Sequence, residues 1–78
     1  MKTLLESIVK SLVDNKDDIK VVEINLKDSI LYQLHVSDDD LGKLIGKKGK
    51  TILAIRTIIS AASLKAGIAR SVIEIIED

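Results

Sequence analysis

The spacing of apolar residues at the start of the chain indicates a helix. Apolar side chains recur there every three or four positions: Leu5, Ile8, Val9 and Leu12. Thr3 and Glu6 have the spacing of a capping box, in which two side chains bond free backbone amides at a helix start. The pattern fades into a polar turn at residues 15–18, so it predicts a first helix over residues 4–14.

Apolar and polar residues then alternate along two segments, as is typical of half-buried strands. In residues 21–26 the alternating sets are Val22, Ile24, Leu26 and Val21, Glu23, Asn25. In residues 30–36 they are Ile30, Tyr32, Leu34, Val36 and Leu31, Gln33, His35. A short polar link joins the two segments, which favours an antiparallel hairpin.

A second capping box, Ser37 with Asp40, predicts the start of a short helix that ends at Gly46. The helix carries three apolar side chains: Leu41, Leu44 and Ile45. We interpret the run of carboxylates from Asp38 to Asp40 as negative charge that favours the amino end of this helix. A metal site is the less favoured interpretation, because consecutive helical residues point in different directions.

The longest helical pattern runs from Lys50 to Ala66 and ends at Gly67. One broad apolar face is formed by Ile52, Ile55, Ile58, Ile59, Ala62 and Ala66. A second apolar stripe lies largely opposite: Leu53, Ala54, Thr57, Ala61 and Leu64. This second stripe either faces the first helix or forms a subunit interface.

Alternation returns from Ser71 to Glu77, where Ile73 and Ile75 share one side of a last predicted strand. The order of elements is therefore helix, strand, strand, helix, helix, strand. This order predicts the fold class α+β, with a three-stranded sheet and three helices on one of its faces. A chain of 78 residues is expected to form one domain over residues 1–78.

Composition removes several classes of protein. The chain has no cysteine and a single histidine, His35, so neither a cysteine-ligated zinc site nor a catalytic Cys–His pair can form. We therefore expect no enzymatic activity, no cofactor and no metal. No apolar run approaches a bilayer-spanning length, and Glu6 and Lys10 interrupt any signal-peptide segment, so a cytoplasmic protein without membrane association is expected.

The formal net charge of zero conceals a division of charge along the chain. Residues 41–73 hold no acidic residue and seven basic ones: Lys43, Lys47, Lys48, Lys50, Arg56, Lys65 and Arg70. All 12 carboxylates lie outside that segment. The basic segment indicates a local anion-binding surface, although a chance cluster of solvated lysines is an equally acceptable interpretation at this point.

Glycine and lysine are concentrated between the two later helices, at residues 46–49. Residues 49–51 imitate the end of a P-loop, but position 44 is Leu44, where both a P-loop and a dinucleotide-binding fingerprint need glycine. What remains is a tight turn that can direct its backbone amides, its lysines and the next helix start towards a phosphate. The alternative is a structural turn with solvated lysines.

A Gly-x-x-Gly turn between two helices, inside this order of elements, resembles a KH RNA-binding domain, whose loop clamps about four nucleotides. The extra helix and strand at the amino end resemble the type II arrangement. Residues 41–43, 45–51, 54–57 and 61–62 also resemble the KhpA (YlqC) family of stand-alone bacterial KH proteins. The resemblance implies a small RNA chaperone or post-transcriptional regulator that binds single-stranded RNA, forms homodimers and pairs with KhpB (Jag or EloR), a multidomain KH protein.

The resemblance further implies roles for individual residues. The backbone clamp and its neighbours would be Gly46, Lys47, Lys48, Gly49, Lys43, Lys50 and Thr51. Apolar positions around the clamp would be Leu44, Ile45, Ile52 and Ile55, some lining the nucleotide groove and others filling the core. Further RNA contacts would come from Arg56 and from Arg70, which ends a short variable loop at residues 67–70. The dimer interface would use the second stripe: Leu53, Ala54, Thr57, Ala61 and Leu64.

Tyr32 is the only aromatic residue and alternates with core positions, so it is interpreted as packing rather than as a base-stacking platform. Without aromatic stacking, affinity for RNA should be largely electrostatic and sequence specificity modest. His35 is interpreted as a residue of the sheet surface. The alternative function is a protein-interaction module that holds a KH partner, with RNA binding secondary.

Overall fold

The computed structural model describes residues 1–68 and 70–76. The helices are α1 (Lys2–Lys10), α2 (Asp38–Ile45) and α3 (Lys50–Lys65), and the strands are β1 (Lys20–Asn25), β2 (Ser29–His35) and β3 (Arg70–Ile76). Short 3-10 turns occupy Lys16–Asp18 and Lys47–Gly49. The predicted order of elements and the α+β class are confirmed.

The three strands form one mixed sheet in the order β1-β2-β3. β1 and β2 are antiparallel, as the hairpin prediction requires, and Val21 lies opposite Leu34. β3 is parallel to β2, with Ile73 beside Tyr32, and forms one edge of the sheet. Each strand begins one residue before its predicted start, and Glu77, the predicted end of the last strand, lies outside the described residues.

The core lies between the helices and one face of the sheet. Its buried residues are Leu5, Val9, Val13, Val21, Tyr32, Leu34, Leu44, Ile52, Ile55, Ile59 and Ile73. Tyr32 is 1% exposed, which confirms its interpretation as packing. Burial raises the pKa of the Tyr32 hydroxyl, and the neighbouring Glu23 carboxylate raises that pKa further.

The predicted bounds of the first helix are wrong at both ends. α1 begins after Met1, and no side chain caps it, so Thr3 and Glu6 do not form the expected capping box. The helix ends at Lys10 rather than at residue 14. The chain continues as a turn that buries Val13, and the backbone amides of Asp14 and Asn15 then donate to the carboxylate of Asp40. These two amides therefore bond a carboxylate that is distant in the sequence instead of continuing the hydrogen bonds of α1.

The second predicted capping box is half correct. Ser37 is the N-cap of α2, and its hydroxyl accepts from the Asp39 amide at 3.4 Å. The Asp40 carboxylate does not bond the Ser37 amide in return, because it is buried and accepts from the amides of Asp14 and Asn15. Among the residues that the structure describes, no group of histidine and carboxylate side chains is arranged to hold a metal ion.

α3 ends one residue before its predicted limit, and Gly67 follows with φ 72°. Its buried face differs from its apolar face. Ile58 is 48% exposed and Ala66 is exposed, so the buried part of the apolar face does not include either residue. Ser63 is buried instead and forms a 2.5 Å hydrogen bond with the Ser71 hydroxyl, which connects α3 to β3. No helix in the described part of the chain is both long and apolar enough to cross a membrane.

Candidate nucleic-acid interface

The turn between α2 and α3 uses backbone conformations that favour glycine. Gly46 has φ 77° and ψ 175°, and Gly49 has φ 75°. Lys48, at φ 56°, also adopts the left-handed region. The Gly46 amide donates to the Gly42 carbonyl at 2.9 Å, and the Gly49 amide donates to the Gly46 carbonyl at 3.1 Å. The resulting compact turn leaves the side chains of Lys47 and Lys48 exposed.

Gly46 has no room for a side chain. A Cβ atom at this position would lie 2.1 Å from Thr51 Oγ1 and 2.9 Å from the Thr51 backbone nitrogen. Gly49 differs, because no atom lies within 4 Å of its hypothetical Cβ and only its positive φ favours glycine. The first glycine therefore sets how closely the turn approaches the start of α3.

The amino end of α3 carries no negative charge. Gly49 is its N-cap, no side chain bonds its first amides, and its first turn contains no acidic residue. The first amides of any helix lack partners within the helix, and their aligned dipoles favour an anion. Lys47, Lys48 and Lys50 are exposed around this end, so the turn combines a helix end without a side-chain cap with positive side chains, while the Lys50 amide itself donates to the Lys47 carbonyl.

Lys43 is not an unpaired cation. Its ammonium donates to the carboxylate of Asp14 and lies 3.7 Å from Asp40 Oδ1. The hydrogen bond to Asp14 raises the pKa of Lys43, with a smaller contribution from Asp40. The expected RNA-binding lysines therefore divide into an ion-paired Lys43 and three exposed lysines around the turn.

Asp40 has a structural role that its place in the capping-box pattern does not predict. Its carboxylate accepts from the Asn15 amide at 2.9 Å, the Asp14 amide at 3.1 Å and the Asn15 side chain at 3.0 Å. These hydrogen bonds, led by that of the Asn15 amide, hold the pKa of Asp40 below its ordinary value despite burial. No local signal separates it from Asp38 and Asp39, because its partners lie about 25 residues earlier.

The apolar candidates separate clearly into core and rim. Leu44, Ile52 and Ile55 are buried, with Ile52 6% exposed, so these side chains fill the core beneath the turn. Ile45 is half-buried at the end of α2 and packs on the same core. Of the apolar residues expected to contact bases, Ile45 is therefore the one with substantial accessible surface.

A groove runs between α3 and the edge strand β3. Its main recess has a volume of about 340 Å³ and is lined by Arg56, Ile59, Ser60, Arg70, Ser71, Val72 and Ile73. A second recess of about 190 Å³ shares Ser60, Arg70 and Ser71 and extends to Leu64 and Ile68. The structure thus brings together Arg56 and Arg70, the two arginines expected to contact RNA, at one groove.

Arg56 spans this groove. Its Nη2 donates to the backbone carbonyl of Ile73 at 3.4 Å, which links α3 to β3. The separation of Arg56 from Lys50 is six residues, or about 9 Å of helix rise, so clamp and groove follow one another along α3. The expected variable loop at residues 67–70 includes Ala69, which lies outside the described residues.

The second stripe of α3 is open to solvent. All five of its members are exposed, and Leu53 and Leu64 are 56% and 78% exposed. The interpretation that this stripe faces the first helix is therefore wrong. Because α1 packs near the buried side of α3, the stripe remains an uncovered, mainly apolar surface.

Comparison with known proteins agrees with this architecture. The family model of the KhpA/KhpB KH domain matches residues 2–75. Relatives named RNA-binding protein KhpA include that of Clostridium acetobutylicum, 50% identical over 97% of this chain and 100% of the relative. Those of Clostridium perfringens and Aquifex aeolicus are 47% and 43% identical, over 97% and 99% of this chain and 100% and 96% of the relatives.

These relatives are named as binding proteins and not as enzymes, in agreement with the expectation of a non-catalytic chain. The match covers α1, both later helices and nearly all of the sheet. The resemblance that the Gly-x-x-Gly turn suggested is thereby confirmed over almost the whole chain. The chain belongs to the KhpA/KhpB family of KH domains.

Proposed function

We propose that the chain binds single-stranded RNA, with the phosphates held at residues 46–49 and the bases placed along the groove between α3 and β3. The working role is that of a small RNA chaperone or post-transcriptional regulator. The relatives' names as RNA-binding proteins support this class of ligand. The residues around the turn support the position of the site.

The observation that carries the proposal is the combination at the turn. Gly46 lies too close to Thr51 for any side chain, and the adjoining helix end has neither a side-chain cap nor an acidic residue. Exposed Lys47 and Lys48 add positive charge beside it. A purely structural turn requires the glycine but not a bare helix end among lysines, whereas a phosphate ligand benefits from all three.

RNA binding of this kind should involve only a few nucleotides and depend strongly on the salt concentration. Tyr32 is buried, so no aromatic ring is available to stack on a base. The remaining contributions are phosphate contacts, hydrogen bonds in the groove and the apolar surface of Ile45. Affinity should therefore fall steeply as the salt concentration rises.

The test is fluorescence-anisotropy titration of short single-stranded RNA at low and moderate salt. We expect Lys47→Asp/Lys48→Asp to lose most of the binding while circular dichroism shows an unchanged fold. The control is Lys2→Asp/Lys27→Asp, which makes the same charge change at two exposed positions. Lys27 lies two residues before Ser29, and Ser29 pairs with Arg70, which follows the carboxyl end of α3. The clamp lies at the amino end of α3, so Lys27 is away from it. Equal loss in both variants would show only a general charge effect and would contradict the assigned site.

The exposed stripe of α3 favours a second, compatible function. Leu53 is 56% exposed and Leu64 is 78% exposed, so the free energy falls when another protein covers this surface. The proposed occupants are a second copy of the chain, giving a homodimer, or a KhpB-like multidomain KH protein. A dimer would present two clamps to one RNA and raise its avidity. If wild-type protein binds no RNA in the titration above, this protein-interaction role becomes the primary one.

A further inference from the structure

The groove between α3 and β3 is lined by two cationic hydrogen-bond donors. Two of its lining residues, Arg56 and Arg70, carry guanidinium groups, which donate and cannot accept. Within residues 1–68 and 70–76, which the structure describes, no carboxylate lines the recess. Glu74, the acidic residue of β3, accepts from Gln33 at 3.1 Å on the neighbouring strand and does not line the recess.

The Arg56 guanidinium also occupies an acceptor that the strand would otherwise offer. An edge strand presents unpaired N–H and C=O groups, and the Ile73 carbonyl is one that faces this groove. Arg56 Nη2 donates to that carbonyl at 3.4 Å. A base approaching β3 beside Arg56 therefore meets a guanidinium before it meets a free carbonyl.

The four bases differ in what they can give to such a surface. On the edge that faces the major groove of a duplex, adenine and cytosine present an exocyclic amino group, which needs an acceptor, whereas guanine presents two adjacent acceptors, O6 and N7. The planar fork of arginine matches that pair with two hydrogen bonds. Uracil offers the acceptor O4 without an adjacent second one, so it should be tolerated without being preferred.

We propose that the recess at Arg56 selects guanine in single-stranded RNA, with the guanidinium bonding O6 and N7. This inference rests on the proposed RNA-binding function and adds to it a base preference and the residue that determines it. Arg56 is exposed on α3, and its guanidinium has five N–H donors, one of which bonds the Ile73 carbonyl, so the fork can bind a ligand while that bond remains.

The test uses short uridine RNAs in which one guanosine, adenosine or 7-deazaguanosine is moved through each position. Each probe contains no more than one guanosine, because RNAs with several guanosines can self-associate. We expect one position at which guanosine binds about tenfold more tightly than adenosine, the scale of one bidentate base contact. 7-Deazaguanosine keeps O6 and the Watson–Crick edge but lacks N7, so it should lose most of that preference.

Two variants assign the preference to the residue. Arg56→Lys keeps the charge but loses the fork, and Arg56→Gln loses both. Both should bind guanosine and adenosine probes with similar affinity, while Lys65→Arg, an exposed exchange outside the groove, should keep the wild-type preference.

Each remaining outcome has a definite meaning. Equal affinity for guanosine and adenosine at every position, with binding still lost in Lys47→Asp/Lys48→Asp, overturns the guanine proposal and leaves the RNA-binding function standing. A preference that survives in Arg56→Gln overturns the role of Arg56. Absence of binding to any probe overturns the proposed function itself.

Discussion

Asp40 accepts two hydrogen bonds from a single residue, Asn15, from its backbone amide at 2.9 Å and its side-chain amide at 3.0 Å. A third comes from the Asp14 amide. One buried carboxylate thus holds the segment after α1 against the first turn of α2. Because α2 leads directly into Gly46, these bonds also position the helix that delivers the chain to the clamp.

Removal of the Asp40 carboxylate should destabilise the fold. Asp40→Ala leaves two part-buried backbone amides without their acceptor, which is costly to the folded state. We expect the midpoint of thermal unfolding to fall by about 5 °C or more in a domain of this size. Asp39→Ala, in the same helical turn but exposed, is the control and should change the midpoint by much less. Similar midpoints for the two variants would show that the three hydrogen bonds contribute little.

The lowered pKa of Asp40 makes stability depend on pH with a defined sign. Its pKa is lower in the folded state than in the unfolded chain, so its contribution is fully present above about pH 4, the unfolded aspartate range. The contribution is lost as pH falls through the folded-state pKa. In urea unfolding, the stability difference between wild type and Asp40→Asn should therefore narrow from pH 6 to pH 3. A difference that stays constant or widens over this range would reverse the assigned sign.

Replacement by alanine should change the free energy of unfolding in opposite directions at Gly42, inside α2, and at Gly46, just after it. Gly46→Ala places a methyl group against Thr51 and forces a left-handed φ, and should cost about 1–3 kcal/mol and weaken RNA binding. Gly42 is helical and exposed, with no atom near its hypothetical Cβ, so Gly42→Ala should gain up to about 1 kcal/mol. Urea unfolding and RNA titration of both variants provide the comparison. A destabilised Gly42→Ala, or a neutral Gly46→Ala, contradicts this account of the turn.

The sequence pattern was sufficient to predict those features that depend on residues close together in the chain. Periodicity located every helix and strand, and the glycine spacing located the turn at residues 46–49. Alternation also placed Tyr32 correctly among the core residues. These features follow from the periodicity of a helix or a strand, which a short run of consecutive residues is enough to show.

What the sequence missed depends on residues far apart in the chain. The end of α1 is set by Asp40, which lies beyond two intervening strands. Ser63 continues the helical spacing of Ile55 and Ile59, but its polarity concealed a buried position whose hydroxyl is satisfied by Ser71. The contact of Arg56 with β3 likewise requires the sheet order, which fixes β3 at the edge.

The exposed stripe of α3 predicts how self-association should respond to a single charge. Leu53 is 56% exposed, so Leu53→Asp should leave the monomer folded while it introduces an unpaired carboxylate at the proposed interface. Leu26, 52% exposed just after β1, provides a matched control because Leu26→Asp makes the same chemical change outside the stripe. Light scattering should give a mass of two chains for wild type and Leu26→Asp, and of one chain for Leu53→Asp. If Leu53→Asp remains dimeric, or if Leu26→Asp alone dissociates, the stripe is not the interface, and a different surface must join the two copies.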